Sequence, residues 1–319
     1  MRALVVSSPE SAAFVKDWVL PAPGPDELRI KVSACGLNFA DLLMIEGTYQ
    51  ETPPLPFVPG LEIAGTILAV GPGVDGFAIG DRVSAYCGAG GLAEAANVPA
   101  VRCRKVPSNM PIDVAAGFQI AYGTSHLALT RRAGLRAGET LVVLGAAGGV
   151  GLTAVEVGKA LGARVIGVAR GAEKLDIARA AGAQETIDAT APDLRGALKA
   201  LGGADVIYDA VGGDLGEAAL RALNPEGRFL AIGFASGTVP KPKLNHMLVK
   251  NIDVIGFYWG GYLAFAPDAL NQSLSELMDW YSEGKISPHI SHRLPFDQAL
   301  KGLDLLKSRK ATGKVVITL

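Results

Sequence analysis

The chain has 319 residues, of which 49% are hydrophobic and 19% are charged. This length predicts about two domains, and the composition provides enough apolar side chain for a large core, which excludes an intrinsically disordered protein. The net charge of −1 gives no overall attraction to nucleic acid or to an anionic membrane. The apolar run at the N-terminus is too short for a signal peptide, and the uncharged run 254–267, which glycines interrupt, is too short to span a bilayer. We therefore expect a soluble, cytoplasmic protein with neither nucleic acid nor membrane as a partner.

The N-terminal part, residues 1 to about 120, is rich in β-branched residues, proline and glycine. Residues 28–32 alternate between apolar and polar side chains with the period of a strand. The proline-rich run 51–59 must form a loop, because proline removes a backbone donor and fixes φ. These features predict a small β-barrel with short helices.

From about residue 121 to 260 the pattern changes to strands that alternate with helices. Strands are predicted at 141–144, 164–169, 184–187, 205–209, 228–232 and 252–255, and helices at 149–161, 172–181, 192–200 and 214–222. This alternation predicts a parallel sheet covered by helices on both faces. The remaining tail contains two predicted helices, at 267–282 and 296–307, and a final strand at 314–319.

A glycine-rich turn follows the strand at 141–144 and is the most informative segment of the chain. Its residues are Gly145, Ala146, Ala147, Gly148, Gly149, Val150 and Gly151. A strand, such a turn and a helix open a dinucleotide-binding unit, in which a pyrophosphate meets backbone N–H groups at the helix N-terminus. Gly148 would keep side-chain bulk away from the phosphates, and Gly151 would let the helix pack close to the strand. The match is a variant, because Ala146 occupies the position of one glycine of the usual G-x-G-x-x-G pattern.

The end of the second strand of this unit indicates which dinucleotide binds. An NAD-dependent enzyme places an acidic residue there to hold the ribose 2′-hydroxyl, whereas this chain has Arg170, with Lys174 one helical turn later. A guanidinium can bind a 2′-phosphate through two hydrogen bonds, and an ammonium adds a point charge. The sequence therefore predicts NADPH as the cofactor. The alternative is that both are ordinary surface charges.

Metal ligands are not apparent in the sequence. The three cysteines, Cys35, Cys87 and Cys103, form no C-x-x-C pair. An odd number of cysteines without the spacing of zinc ligands argues against both a disulfide framework and a structural zinc site. The histidines show no ligand-like spacing either, so we expect no metal.

Several motifs, in order along nearly the whole chain, resemble the medium-chain dehydrogenase/reductase superfamily, and most of all its zinc-free quinone oxidoreductase (zeta-crystallin-like) branch. The matching stretches are 35–41, 59–65, 70–74, 80–83, the glycine turn 145–151, 209–213 and 311–316. The resemblance implies an α/β fold in which a GroES-like β-barrel catalytic domain, residues 1–121 plus 262–319, carries an inserted Rossmann domain, residues 122–261. It also implies a homodimer in which the sheet edge near 254–257 pairs across a two-fold axis.

Two departures from the zinc-dependent members of the superfamily bear on the chemistry. Those enzymes carry cysteine and histidine as zinc ligands where this chain has Asn38 and Leu61, and these two cannot build a tetrahedral zinc site. Without a Lewis acid, the expected reaction is hydride transfer from NADPH to a quinone or an α,β-unsaturated carbonyl compound. Leu43 stands where related quinone reductases often have a tyrosine, which weakens any mechanism with a tyrosine as proton donor.

The resemblance also assigns roles to individual residues. Asn38 would lie near the nicotinamide and orient the acceptor carbonyl, although it can equally be a helix N-cap. Tyr49 would contact the acceptor as a hydrogen-bond donor, or it is a core aromatic residue. Tyr258 would also contact the acceptor, although the segment around it can equally be a hydrophobic plug or an interface. The remaining predicted cofactor contacts are Thr124, Gly233, Phe234, Ser236, Phe257, Tyr258 and Trp259.

Two other functions remain open from the sequence. The first is an enoyl-thioester or haloacrylate-type reductase on the same scaffold. The second, from a different class, is a non-catalytic NADPH-binding protein that acts as a sensor or a structural component.

Overall fold

A computed structural model describes all 319 residues of the chain. The strands are β1 (Ala3–Ser8), β2 (Ser11–Val15), β3 (Glu27–Leu37), β4 (Glu62–Val70), β5 (Arg82–Tyr86), β6 (Ala95–Pro99), β7 (Cys103–Lys105), β8 (Thr140–Leu144), β9 (Arg164–Ala169), β10 (Glu185–Asp188), β11 (Ala204–Asp209), β12 (Leu223–Ala231), β13 (Asp253–Gly256), β14 (Ile290–Pro295) and β15 (Lys314–Thr318). The α-helices are α1 (Phe39–Ile45), α2 (Ile112–Ala116), α3 (Gln119–Leu127), α4 (Gly149–Ala160), α5 (Ala172–Ala181), α6 (Leu194–Ala200), α7 (Gly213–Leu220), α8 (Leu244–Leu248), α9 (Tyr262–Phe265), α10 (Pro267–Ser282) and α11 (Ala299–Lys307). None of the helices combines the length and apolar character that crossing a bilayer requires.

The chain divides into two compact units. The first contains Met1–Ile120 and Pro288–Leu319, and the second contains Ala121–Ser287. The sequence placed the second boundary at 261/262, whereas the structure places it at 287/288. The reason is α10: its Ser273 side chain bonds to His126 of α3, and its Leu274 packs close to Gly123 of the same helix. Helical periodicity predicts that α10 exists but cannot show which unit it packs against.

The first unit is built mainly on antiparallel strands, and only β14 and β15 pair in parallel. Its main sheet has the order β14-β15-β3-β4-β5-β7, and β6 also pairs with β3. The long strand β3 is the centre of this sheet, because β4, β6 and β15 all pair with it. Its alternating side chains, such as Leu28, Ile30 and Val32, are buried, in agreement with the period-two pattern of the sequence. The end of β3 leads directly into α1.

The second unit is built on a six-stranded sheet with the order β10-β9-β8-β11-β12-β13. Every pair in this sheet is parallel, and the order is that of a Rossmann domain. The predicted strands and helices of this region all occur, with ends shifted by a few residues at most except in β12, which starts earlier at Leu223. The strands β8 and β9 are buried along nearly their whole length, as expected for a sheet covered on both faces.

Candidate active site

The loops that leave the carboxyl ends of the parallel strands lie at one edge of the sheet, where open α/β sheets bind their ligands. Most of the predicted cofactor residues of the second unit follow these ends: the glycine turn after β8, Arg170 after β9, and Gly233, Phe234 and Ser236 after β12. Phe257 follows β13 in the same way. The topology therefore brings together residues that are far apart in sequence.

The glycine turn between β8 and α4 has the geometry that its sequence predicts. Gly145 has φ of 75°, a conformation that glycine adopts without strain. A Cβ on Gly151 would lie 2.1 Å from the carbonyl oxygen of Gly145, so only glycine permits this close approach. Gly148 is the exposed N-cap residue of α4. The unpaired N–H groups of the first turn of α4 therefore face an open position that suits an anion.

A buried polar network anchors the first turn of α4 from behind. The Ser125 hydroxyl donates to the Val150 carbonyl oxygen at 2.9 Å, and Thr153 Oγ1 donates to the same oxygen at 3.0 Å. The hydroxyl of Tyr208, on β11, lies 3.1 Å from Ser125 Oγ. These bonds tie α4 to α3 and to the neighbouring strand, which fixes the position of the N–H groups that would receive a phosphate. No pattern in the sequence predicts this network, because its members are distant in the chain.

The end of β9 carries the residues predicted to select NADPH. Arg170 is exposed and Lys174 is half-buried on α5, and Gly171, with φ of 84°, is the N-cap between them. Asp188, at the end of β10, accepts a hydrogen bond from the Gly171 N–H at 2.9 Å. The hydrogen bond from the Thr190 side chain lowers the pKa of Asp188 most. The backbone N–H groups of Thr190 and Gly171 and the charge of Arg170 lower it further. The Asp188 carboxylate, which no sequence motif indicated, therefore stands beside the predicted phosphate-binding arginine.

The loops after β11 and β12 support each other. Asp209 is fully buried at the end of β11, and its Oδ1 accepts the N–H groups of Val211 and Gly212 at 2.8 Å. Burial raises the pKa of this carboxyl. The Ser236 N–H donates to the Val211 carbonyl oxygen at 2.8 Å, so the predicted contacts after β12 rest on the β11 loop. Phe234 keeps 41% of its surface exposed, which leaves its ring available to a ligand.

Four other predicted cofactor contacts are more enclosed. Thr124 lies on α3 and is 7% exposed. Phe257 and Trp259 are also buried: the Phe257 ring lies 5.5 Å from that of Tyr262, and the Trp259 indole fills the space beside Gly123. Tyr258 is half-buried. The side chains of Phe257 and Trp259 therefore match the hydrophobic-plug alternative, and any contact they make with a cofactor would come from the backbone or a ring edge.

In the first unit, the start of α1 places Asn38 and Asp41 side by side. Asn38 is the extended N-cap residue of α1, and its backbone N–H donates to Asp41 Oδ2 at 2.7 Å. Asp41 Oδ1 accepts the N–H of Gly60 at 3.0 Å. Burial of Asp41 raises the pKa of its carboxyl to about 7, even though these two N–H groups and the Lys314 charge oppose the shift. Asn38 and Asp41 therefore form a capping box at the start of α1, and the Asn38 carboxamide has further partners besides.

A buried lysine and a buried glutamate hold the Asn38 carboxamide. Lys314 Nζ donates to Asn38 Oδ1 at 2.7 Å and to Glu62 Oε1 at 2.8 Å. Asn38 Nδ2 donates to Glu62 Oε1 and to the Gly36 carbonyl oxygen, both at 3.1 Å. Glu62 is 1% and Lys314 is 6% exposed, whereas Asn38 is half-buried. We call Asn38, Glu62 and Lys314 the carboxamide clamp.

Tyr49 lies on the loop after α1. It is half-buried, and its backbone N–H donates to the Leu43 carbonyl oxygen at 3.2 Å. Tyr86, at the end of β5, is a close neighbour of Tyr49. Burial raises the pKa of Tyr86, and the nearby Tyr49 raises it further. The sequence did not single out Tyr86. The first unit therefore presents a phenol, Tyr49, that is neither fully buried nor fully exposed.

The positions at which zinc-dependent relatives bind their metal do not fit a cation here. Leu61 is buried and has no donor atom, and Asn38 Oδ1 already accepts a hydrogen bond from the Lys314 ammonium. A second positive charge beside that ammonium would be repelled. No group of three or more histidine, cysteine, aspartate or glutamate side chains is arranged to hold a metal ion.

Comparisons with known proteins agree with this architecture. Residues 24–108 match the family model described as alcohol dehydrogenase GroES-like domain, and residues 149–283 match the one described as zinc-binding dehydrogenase. A quinone oxidoreductase-like protein 2 homolog from Nematostella vectensis is 40% identical over 92% of this chain and 82% of its own length. The chain belongs to the zinc-free quinone oxidoreductase branch of the medium-chain dehydrogenase/reductase superfamily. This confirms the family and the α/β fold class, a GroES-like domain with a Rossmann domain, that the sequence motifs predicted.

Solved structures give the same result. Mycobacterial Rv1454c complexed with NADPH has a TM-score of 0.93 and 31% identity, and the match covers all of both chains. The quinone oxidoreductase of Escherichia coli complexed with NADPH has a TM-score of 0.92 and 28% identity over all of both chains. The human synaptic vesicle membrane protein VAT-1 homolog is a more distant relative, 32% identical over 93% of this chain and 80% of its own length.

Proposed function

We propose that this chain is an NADPH-dependent oxidoreductase that transfers hydride to a quinone or an α,β-unsaturated carbonyl compound without a metal. The observation that carries the proposal is the glycine turn, where only a glycine at 151 fits against the Gly145 carbonyl oxygen and where Gly148 leaves the helix N-terminus open. The similarity of the whole chain to two oxidoreductases solved with NADPH supports it.

Different residues of the second unit would bind different parts of NADPH. Bound NADPH would supply a hydride from C4 of its nicotinamide. The N–H groups at the start of α4 would hold the pyrophosphate, and Gly148, Gly149 and Val150 line that position. Arg170 would pair with the 2′-phosphate through two hydrogen bonds, and Lys174 would add a positive charge. The loops that carry Gly233, Phe234 and Ser236 extend from the same sheet edge.

The cofactor assignment is tested by reversing one charge. Each charge-assisted hydrogen bond contributes ~1.5–3 kcal/mol, so Arg170→Asp should weaken NADPH binding at least about tenfold and leave NADH binding little changed. Binding can be measured by fluorescence titration. Arg179→Asp is the matched control, because Arg179 lies in the last turn of α5, at the end of that helix farther from Arg170, and this variant should bind NADPH like the parent. Equal affinity of the parent for NADPH and NADH would contradict the assignment.

The acceptor would be positioned by the first unit. Hydride transfer to a quinone or an enone places negative charge on the acceptor oxygen, and a polar donor aimed at that oxygen lowers the barrier. We propose the Tyr49 hydroxyl as this donor, Asn38 as a contact to the cofactor and acceptor, and Tyr258 as a further contact to the acceptor. Proximity and orientation would provide much of the remaining rate enhancement, and solvent would supply the proton.

An acceptor panel tests the reaction itself. NADPH oxidation should be followed by absorbance with an ortho-quinone, an alkenal and an enoyl thioester. We expect turnover with the quinone or the alkenal, and activity should survive a metal chelator. Turnover with the enoyl thioester alone would favour an enoyl-thioester reductase. Tight NADPH binding without turnover of any acceptor would favour a non-catalytic NADPH-binding protein, and stoichiometric zinc in the purified protein would contradict the metal-free proposal.

We also propose that the protein is a homodimer. The strand β13 is the last of its sheet, and Val254 on it keeps 44% of its surface exposed. An open apolar edge strand is prone to pair with another chain, and a second copy of β13 would satisfy its free backbone groups. Light scattering at micromolar concentration should give the mass of a dimer, and a monomer would count against this pairing.

A further inference from the structure

The Asp188 carboxylate is fixed at the turn that would hold the 2′-phosphate of NADPH. Asp188 ends β10, and its Cα is the register partner of that of Ala169 at the end of β9. Its Oδ2 accepts the N–H of Gly171 at 2.9 Å, and Gly171 directly follows Arg170 in the chain. The carboxylate is therefore bonded to the residue next to the arginine proposed to bind the phosphate, within the same unit of the chain.

Three hydrogen bonds keep this carboxylate in place and ionised. Besides the bond from the Gly171 N–H, the Thr190 N–H donates to Oδ1 at 2.8 Å, and the Thr190 hydroxyl donates to the same oxygen at 2.6 Å. The hydroxyl lowers the pKa of Asp188 most, and the two N–H groups lower it further, because hydrogen bonds to the charged form stabilise it. Asp188 therefore carries its negative charge at neutral pH and cannot swing away from an arriving anion without losing these bonds.

The positive groups at this turn leave that charge in place. Arg170 is exposed and acts on Asp188 through its charge rather than through a hydrogen bond, so its guanidinium stays available to a phosphate. The Debye length is ~8 Å at physiological ionic strength, so a phosphate bound to Arg170 and Lys174 would also feel the carboxylate. Glu173, in the first turn of α5, is exposed and can turn into solvent. The fixed negative charge at the turn is therefore that of Asp188.

The two candidate dinucleotides differ only in the group that would bind at this turn. NADPH carries a phosphate there, with a charge of about −1.5 to −2 at pH 7, whereas NADH carries an uncharged hydroxyl. Because like charges repel, Asp188 opposes the binding of NADPH and has little effect on that of NADH. Arg170 and Asp188 therefore act in opposite directions on the choice of cofactor.

We propose that Asp188 is a specificity-determining residue that limits the preference of this chain for NADPH over NADH. The inference rests on the proposed function and deepens it, because NADH is then a second, weaker cofactor rather than one that the site excludes. In NAD-dependent enzymes the acidic residue at the ribose ends the second strand of the dinucleotide-binding unit, which is β9 here. In this chain the carboxylate reaches the same turn from the neighbouring strand, β10.

The first test measures the affinities for NADPH and NADH by fluorescence titration in the parent and in two neutral variants. Asp188→Asn and Asp188→Ala should each strengthen NADPH binding at least about threefold, because a repulsion between charges is removed, and should change NADH binding less than that. Glu185→Gln is the matched control, since Glu185 begins the same strand and pairs with Arg164 at 2.8 Å; its ratio of the two affinities should equal that of the parent. An unchanged or lower preference for NADPH in the neutral variants would overturn the proposal.

A variant that keeps the charge separates electrostatics from the structure of the turn. Asp188→Glu retains a carboxylate but disturbs the three hydrogen bonds of Asp188, so its preference for NADPH should stay near that of the parent. If Asp188→Glu instead behaves like Asp188→Asn, the hydrogen bonds rather than the charge matter, and the proposal is wrong.

Phosphorus NMR of bound NADPH gives a further readout, which needs only one neutral variant that folds. Without the carboxylate, the pKa of the bound 2′-phosphate should be lower than in the parent, because a nearby like charge disfavours its ionised form. An equal pKa in parent and variant would overturn the proposal. A parent that binds neither dinucleotide would contradict the proposed function as well, whereas NADPH binding that is indifferent to Asp188 would contradict this inference alone.

Discussion

The close contact inside the glycine turn predicts a specific effect of Gly151→Ala. The added Cβ would lie 2.1 Å from the Gly145 carbonyl oxygen and 2.7 Å from its carbonyl carbon. Both are backbone atoms, so α4 or the turn must move. Such overpacking costs ~1–3 kcal/mol, and a domain of this size loses ~2–4 °C of melting temperature per kcal/mol. We expect the melting temperature to fall by about 2–12 °C, and NADPH affinity to fall at least about tenfold because the N–H groups are displaced.

Two further glycine variants separate stability from binding. At Gly148 an added Cβ would lie 3.3 Å from the nearest atom, on the exposed side of the turn, so Gly148→Ala should weaken NADPH binding with little loss of stability. At Gly256 an added Cβ would meet nothing within 4 Å, and Gly256→Ala should match the parent in both respects. Calorimetry and fluorescence titration measure the two quantities. If Gly151→Ala melts and binds like Gly256→Ala, the assignment of the turn is wrong.

Three other predictions follow from the first unit. Burial raises the folded-state pKa of Asp41 from 3.8 to about 7, so the stability that this group contributes is full below pH 3.8 and is lost as the pH rises to about 7. In urea unfolding, the free energy of unfolding of the parent minus that of Asp41→Asn should therefore fall across that window. A constant difference would argue against this reasoning. Burial raises the pKa of the thiols of Cys35, Cys87 and Cys103, so the native protein should resist alkylation at neutral pH until it is unfolded, and rapid labelling would refute this. Tyr49→Phe should lower turnover about tenfold without changing NADPH affinity, and parental rates with both quinone and enone would make Tyr49 a packing residue.

Local patterns in the sequence predicted most of the fold. The parallel strands have an apolar run of the right length, and the helices between them have the corresponding period, so each element except β12 could be placed within a few residues. The tight turn and the close helix approach at Gly151 were also predictable, because both impose local backbone requirements. The helix α10 shows the limit of this approach. Its existence follows from its own sequence, whereas its unit depends on partners such as His126, far away in the chain.

The candidate site was harder to predict, because its decisive contacts join distant segments. Lys314 is 276 residues from Asn38 and 252 residues from Glu62, and no periodicity connects them. The residues were visible within matching motifs, but their mutual bonds were not. The donor or acceptor character of Asn38 depends entirely on these bonds. For the same reason the sequence could not show that the Asn38 amide group donates to the Gly36 carbonyl oxygen and to Glu62.

The carboxamide clamp also bears on the proposal that the acceptor is electron-poor. Zinc-dependent relatives carry metal ligands at the positions of Asn38 and Leu61, so a dication there can polarise a substrate oxygen directly. In this chain the positive charge at Asn38 is the Lys314 ammonium, and its bonds run to Leu37, Asn38 and Glu62. The Glu62 carboxylate offsets that charge, and burial keeps it away from any substrate. Activation by the protein would then be limited to neutral donors such as Tyr49, which are weaker than a metal ion. A quinone or an enone, which accepts hydride readily, fits a site of this kind better than an unactivated ketone.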